Sequence, residues 1–135
     1  MSESLPSPTV NADSAPYWNA AREGKLLIRK CRKCGEIHFM PRYLCPKCWS
    51  ADLDWVEASG KGVVHSFSIV RRAPMAAFAE RVPYVVALID LEEGPRMMAN
   101  IIGDSALETS IGDAVHLCFE DRGKGAKIPQ FTRKA

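Results

Sequence analysis

From residue 63 onward the chain reads as short β-rich runs separated by turn residues. Residues 63–70 place Val63, Phe67 and Ile69 on one face of an extended strand and Ser66 and Ser68 on the other. Residues 84–91 are apolar on both faces, the pattern of a central strand. Residues 96–102 follow after the turn residues Glu93, Gly94 and Pro95. Residues 105–111 predict a short helical or irregular connector ending at Gly112, residues 115–119 a fourth strand, and residues 126–132 a fifth, with Pro129 marking an edge. Five strands with a helix or loop between the third and fourth is the order of an OB-fold barrel.

The first third of the chain is patterned differently. Residues 1–15 are rich in Ser, Pro, Ala and Asn and read as a flexible lead-in. Residues 16–23 predict a short helix, with Ser14 or Ala15 before it, Pro16 in an early position and Gly24 at its end. Tyr17 and Trp18 are too apolar for water, so this helix is expected to dock. Residues 25–30 then lead as a strand into a cysteine-rich stretch.

That stretch changes the picture. Cys31-x-x-Cys34 and Cys45-x-x-Cys48 are two pairs, each with two intervening residues. Each turn converges two thiolates on one ion, and two turns complete a tetrahedron. Four thiolates leave no position for water, so the expected site is a closed structural Zn²⁺ site held by Cys31, Cys34, Cys45 and Cys48. Iron in a rubredoxin-like centre shares this ligand pattern, and two disulfides are the remaining alternative. No basic start followed by an apolar block opens the chain, so no secretory leader is expected. A reducing cytoplasm is the simplest setting for such thiols. The most apolar run, residues 84–91, is too short to cross a membrane.

Charge is nearly balanced overall but unevenly placed. Residues 22–48 hold eight basic and two acidic side chains, residues 49–121 five basic and twelve acidic, and residues 122–135 five basic and no acidic ones. A basic ribbon and tail on an acidic body suit an anionic ligand or partner near the ribbon. Arg29, Lys30, Arg32, Lys33, Arg42 and Lys47 are expected to surround the thiolates and lower their pKa values.

Together these residues resemble a known family. The series runs Glu23-Gly24-Lys25-Leu26, Cys31 to Gly35, Phe39-Met40-Pro41-Arg42, Cys45 to Cys48, Trp55, and residues 59–67. Pro83-Tyr84-Val85-Val86-Ala87 and Ile111-Gly112-Asp113-Ala114-Val115 complete it. This is similar to the zinc-ribbon-plus-OB-fold proteins of acyl-CoA metabolism, once catalogued as a domain of unknown function. The resemblance implies a mostly β fold. Residues 1–15 would be the lead-in, residues 16–52 the helix and rubredoxin-like zinc ribbon, and residues 53–135 the five-stranded OB-fold barrel. It further implies a non-catalytic accessory subunit that bridges or stabilises a thiolase-superfamily partner (a thiolase, acyltransferase or aldolase) and helps position an acyl-CoA. A hetero-oligomer is the expected assembly.

Other residues bear on alternative functions. His116, Cys118 and Glu120 alternate along one strand and share a face, but neighbours on one face do not converge as a catalytic triad does. His65 reads as a packed or partly exposed strand residue, and His38 lies in a loop whose metal is already satisfied. Residues 122–125 lack the strand-to-helix setting of a phosphate loop. A zinc-ribbon and OB-fold adaptor for nucleic acid is the alternative function, although an acidic barrel with only Phe67 as an aromatic on its first strand argues against it. The long connection at residues 71–83 carries Arg71, Arg72, Met75 and Phe78. It either buries its own apolar groups or serves as a contact loop for a partner or acyl-CoA. Arg42 either offsets thiolate charge or reaches CoA phosphates.

Overall fold

The computed structural model describes residues 5–123 and 125–133. It is mostly β, with one N-terminal helix, a ribbon sheet and a closed five-stranded barrel. Residues 1–4 of the expected lead-in, Lys124 of the rejected phosphate loop and the last two tail residues lie outside the described residues.

Helix α1 spans Ala15–Arg22, with Pro16 in its first turn as expected. Gly24 ends it at φ +80°, while the amides of Gly24 and Lys25 donate to the carbonyls of Ala21 and Ala20. Ser14 does not cap the helix through its hydroxyl. Instead the Asn11 amide donates to Ser14 Oγ, and the Ser14 amide donates to Asn11 Oδ1. The lead-in is thereby tied to the helix start. Further back, Ser7 Oγ donates to the Arg122 carbonyl and Arg122 Nη1 to the Pro6 carbonyl.

The ribbon sheet has the order β2-β1-β3, all antiparallel, from β1 (Leu27–Cys31), β2 (Ile37–His38) and β3 (Leu53–Glu57). Neither β2 nor β3 is visible as a period-two run. Residues 53–57 pair along the whole of β1, from Leu27↔Glu57 to Cys31↔Leu53, so this stretch is ribbon in its hydrogen bonding. The Arg29 guanidinium lies 4.2 Å from the centre of the Trp55 ring and fixes that pairing from one face.

The barrel consists of β4 (Lys61–Val70), β5 (Tyr84–Leu91), β6 (Arg96–Ile102), β7 (Ala114–Gly123) and β8 (Ala126–Arg133). It closes in the order β4-β5-β6-β8-β7, with β6 and β8 parallel and the other neighbours antiparallel. The connector between β6 and β7 is a 3-10 turn, Ala106–Glu108.

Two strand-level expectations change and one holds. Val63 does not share a face with Phe67 and Ile69, because the β4–β5 register shifts between Val64 and Ser66. That bulge makes Val64 the inward residue before it and Phe67 and Ile69 the inward residues after it, leaving Val63 exposed. Strand β5 is central as expected, paired with β4 on one side and β6 on the other. Val85, Ala87, Ile89 and Leu91 point into the core, and the residues between them are half-covered. Pro129 marks no edge, since the barrel is closed. It lies where β8 has left β6, whose pairing with β8 is confined to Ile101↔Phe131 and Ile102↔Thr132. A side chain takes over the seam there: Gln130 Oε1 accepts from the Asn100 amide at 2.7 Å, and Gln130 Nε2 donates to Asn100 Oδ1 at 3.0 Å.

One apolar cluster joins the two parts. Tyr17 of α1, Leu26, Ile28 of β1 and Ala58 are contiguous with Val64, Val85, Ile89, Ile101, Val115 and Phe131 of the barrel. Helix α1 packs on β8 and β1, burying Tyr17 as its apolar content required. The ribbon is therefore rooted in the barrel's core, with only its cysteine turns projecting.

Candidate metal centre and adjoining grooves

The first cysteine turn leaves the end of β1 and the second precedes β3, so the ribbon sheet brings the two pairs face to face. All four Sγ atoms of Cys31, Cys34, Cys45 and Cys48 lie within 4.8 Å of one another. The Cys31–Cys48 and Cys34–Cys45 sulfurs are each 3.6 Å apart. A tetrahedral ion with Zn–S bonds of about 2.3 Å places its sulfurs about 3.8 Å apart, close to the two shortest separations here, so the donor set fits zinc. The five cysteines are all free of disulfides, which removes the disulfide alternative. Zinc bound here fixes shape, since the four sulfurs complete its coordination.

The backbone prepares the thiolates. The amide of Cys34 points at Cys31 Sγ and that of Lys47 at Cys45 Sγ, each at 3.4 Å. The Cys34 amide is the main reason the Cys31 thiol drops to about 6, with further help from the Lys33 amide and the neighbouring thiols against the effect of burial. At Cys34 the Glu36 amide pulls downward, but burial and the thiols of Cys45, Cys48 and Cys31 push the group up to about 12. Without a cation the four groups do not ionise together, and an ion is what makes four thiolates compatible. The surrounding cations contribute less than expected. Arg32 is engaged by Asp54 and Asp52, and Arg29 stacks on Trp55 and donates to the Leu53 carbonyl.

His38 lies on β2, buried, with both ring nitrogens unpartnered among the described residues. Burial, then the charges of Arg29 and Arg42, hold its pKa below the usual histidine value. His65 is exposed and 3.4 Å from Asp90.

Two grooves flank the ribbon. One, of about 630 Å³, is lined by Met40, Arg42, Tyr43, Leu44, Pro46 and Trp49, among others. The second, of about 650 Å³, lies between the ribbon and the outer face of the barrel. Trp18 of α1 and Phe39 of the ribbon line it opposite Tyr84, Val86 and Met98, with Phe78 also contributing. Ser14, Met40 and Pro41 border both grooves and so form the wall between them. The second groove is apolar over a polar floor whose groups already have partners. Gln130 Nε2 also donates to Glu120 Oε1, Asn100 Nδ2 donates to the Val85 carbonyl, and Arg81 and Arg122 pair with Glu120.

The residues singled out from the sequence divide accordingly. Arg42 borders the first groove and is exposed. Phe78, in the 3-10 turn Ala76–Phe78, borders the second, with its ring 5.8 Å from that of Tyr84 and 5.9 Å from the Arg122 guanidinium. Arg71, Arg72 and Met75 are exposed and line neither groove. On β7, Glu120 is taken up by Arg81, Gln130 and Arg122, and burial followed by the Glu120 charge raises the Cys118 thiol. Glu120 is therefore held in ion pairs, and the Cys118 thiol is harder to ionise than usual, the opposite of an activated nucleophile. Sequence reasoning missed Trp18, Phe39, Tyr84, Asn100 and Gln130 as groove residues, because the groove forms only where helix, ribbon and barrel meet, and that meeting leaves no local signal in the sequence.

The two parts of the fold each match a family model. Residues 18–54 match the ChsH2 rubredoxin-like zinc ribbon domain, and residues 55–120 match the ChsH2 C-terminal OB-fold domain. The chain belongs to this zinc-ribbon and OB-fold family. A solved structure described as an Ltp2-ChsH2(DUF35) aldolase contains a chain that is 36% identical, with a TM-score of 0.82, covering 93% of this chain and 98% of that one. Among curated relatives, a probable enoyl-CoA hydratase alpha subunit of Thermomonospora curvata is 36% identical over 126 residues, 93% of this chain and 39% of that protein. The benzoylsuccinyl-CoA thiolase subunit BbsA of Geobacter metallireducens is 33% identical over 75 residues, 56% of this chain and 49% of its own length. The chain thus spans less than half the length of either relative. Among the described residues of this ChsH2-type chain, no helix is long and apolar enough to cross a membrane.

Proposed function

We propose that this chain is a non-catalytic accessory subunit of an acyl-CoA-processing complex. It bridges or stabilises a thiolase-superfamily enzyme and helps position that enzyme's acyl-CoA substrate. The observation that carries this reading is the variety of its relatives. Similar sequence or fold occurs in proteins described as a hydratase subunit, a thiolase subunit (over 75 residues) and an aldolase. Those activities share no bond-breaking step that one constellation of side chains would serve, so the shared module is best understood as a holder and not as the catalyst.

The geometry supports that role. The zinc centre is closed by sulfur and serves shape. The second groove has the size and apolar lining of a small-ligand or acyl site, and its polar floor leaves no hydrogen-bonding demand for a ligand to meet. Arg42, on the far side of the Met40–Pro41 wall, is available to a phosphate. Phe67 is packed against the core and is withdrawn from the base stacking that a nucleic-acid barrel uses.

The test is turnover of an acyl-CoA by the purified chain, by a thiolase-superfamily subunit, and by the two together. Activity is expected to appear or rise only in the mixture. Turnover by the chain alone, abolished by Cys118→Ala or His116→Ala, would sink the reading. So would micromolar binding of single-stranded DNA or RNA near physiological salt.

A further inference from the structure

The two cysteine turns are built alike. In the first, the Gly35 amide donates to the Cys31 carbonyl at 3.0 Å and the Cys31 amide to the Glu36 carbonyl at 2.8 Å. In the second, the Trp49 amide donates to the Cys45 carbonyl at 2.9 Å and the Cys45 amide to the Ser50 carbonyl at 2.8 Å. This shared pattern forces left-handed backbone on the residue after each pair, φ +79° at Gly35 and +68° at Trp49. Glycine adopts that conformation freely, whereas a residue with a bulky side chain is strained in it. Trp49 is the one non-glycine residue with positive φ among the described residues.

The turn's hydrogen bonds impose that conformation, but the indole itself gains no burial within the fold, because Trp49 is 77% exposed. It is not alone on the surface. Tyr43 and Met40, 67% and 53% exposed, border the same groove. Lys33, Arg42 and Lys47 are exposed nearby in the sequence of the ribbon, and Asp13 is the one acid lining the groove. Trp, Tyr, Met and Arg are among the residues enriched at protein interfaces, and Trp, Tyr and Arg are enriched among the few that carry most of the binding energy.

We propose that Trp49 is the anchor by which the ribbon docks on the catalytic subunit of its complex. The indole enters an apolar socket on that subunit, and the socket's rim is acidic, to complement Lys33, Arg42 and Lys47. This rests on the accessory-subunit reading and names the surface that carries it. Strain at an exposed position then has a reason: the turn holds the ring outward, so little side-chain freedom is lost on docking.

The experiment uses the full chain, tagged and produced in the cells that make it, as wild type, Trp49→Gly and Tyr43→Ser. Co-purifying proteins are identified and weighed against the chain, and each variant's melting temperature and zinc content are measured. Trp49→Gly relieves the backbone, so its melting temperature should not fall and it should keep one zinc per chain. The expected result is an acyl-CoA enzyme subunit in fixed ratio with the wild type, recovered about tenfold less or lower with Trp49→Gly and reduced with Tyr43→Ser. Undiminished recovery of that subunit with Trp49→Gly overturns the proposal and leaves the accessory reading standing. A melting temperature or zinc content that collapses in Trp49→Gly also overturns it, since the ring is then structural. Coenzyme A or an oligonucleotide that binds the isolated wild type and not Trp49→Gly assigns the ring to base stacking and overturns the docking role. If no acyl-CoA enzyme accompanies even the wild type, both readings fail.

Discussion

Removing zinc should unfold the cysteine turns and leave the barrel standing. Few hydrogen bonds hold the turns and the loop between them: those between Cys31 and Glu36, Gly35 and Cys31, Arg32 and Asp52, Arg42 and Met40, Cys45 and Ser50, and Trp49 and Cys45, and the two amide contacts to sulfur. At a net worth of about 1 kcal/mol each, they fall short of ordering residues 32–47 at roughly 1–2 kcal/mol per residue. Structural zinc contributes about 10–16 kcal/mol in small peptide sites, enough to reverse that balance. The base of the ribbon is different. Leu26, Ile28 and Tyr17 belong to the same apolar cluster as Val85, Ile89 and Phe131, and that packing does not involve the metal. Chelation, or Cys45→Ser, is therefore expected to abolish amide exchange protection at Cys31, Gly35, Cys45 and Trp49 while the amides of Val85, Ala87 and Ile89 stay protected. A local loss of only about 3 kcal/mol lowers protection about a hundredfold, well within reach of exchange measured by mass spectrometry or NMR. Loss of protection throughout the chain at one zinc concentration would refute the separation of turns from core. Unchanged protection in the turns after elemental analysis shows the metal gone would refute the role of zinc itself.

Gly62→Ala should destabilise the barrel by about 1–3 kcal/mol in chemical denaturation, because the added Cβ would sit 2.5 Å from Ile89 Cγ2 and 3.2 Å from the Asp90 carbonyl; an unchanged midpoint would contradict that packing. Burial would raise the Glu120 carboxyl, but hydrogen bonds from Arg81 and Gln130 and the charges of Arg122 and Arg81 outweigh it and hold the group below its ordinary 4.5. Glu120 thus contributes stability that is present above that pH and lost as pH falls through the depressed value, and Glu120→Gln should flatten the acid limb of the barrel's stability curve. Phe78→Ala removes a ring packed on Tyr84 and beside Arg122, worth about 0.5–1.5 kcal/mol. Combined with Met75→Ala, it should weaken partner association more than Lys127→Ala, as measured by titration calorimetry.

The parts of the fold legible in the sequence were those with local punctuation. The cysteine spacing, the Pro16 and Gly24 ends of α1, and the apolar runs at 84–91 and 96–102 each announce themselves without reference to the rest of the chain. What escaped depends on partners distant in sequence. Strand β3 has little pattern of its own and exists because Leu53–Glu57 finds β1. The bulge in β4 reverses the inward parity after Val64, which no count of alternating residues can detect. Gln130 looks like an ordinary polar strand residue until the barrel closes and β6 meets it side chain to backbone. At the site, the metal ligands were legible because one ion imposes their spacing. The strain at Trp49 was in principle readable too, since Cys34 is followed by Gly35 and Cys48 by a tryptophan in the equivalent place.

The two grooves explain how a metal that touches no substrate can still govern function. Met40 and Pro41 form part of the wall between the grooves, and they lie in the loop between the two cysteine turns. On one side of that loop Phe39 packs against the apolar cluster and meets Tyr17 at 5.8 Å, and on the other the chain enters Cys45. The wall is therefore held at one end by an aromatic contact with the core and at the other by zinc. With the metal gone, the Phe39 contact would still be available to anchor its end, while Arg42, Tyr43 and Trp49 would lose their common frame. Both the apolar groove and the docking patch would then lose definition together, and a chain whose barrel remained folded would no longer hold a partner.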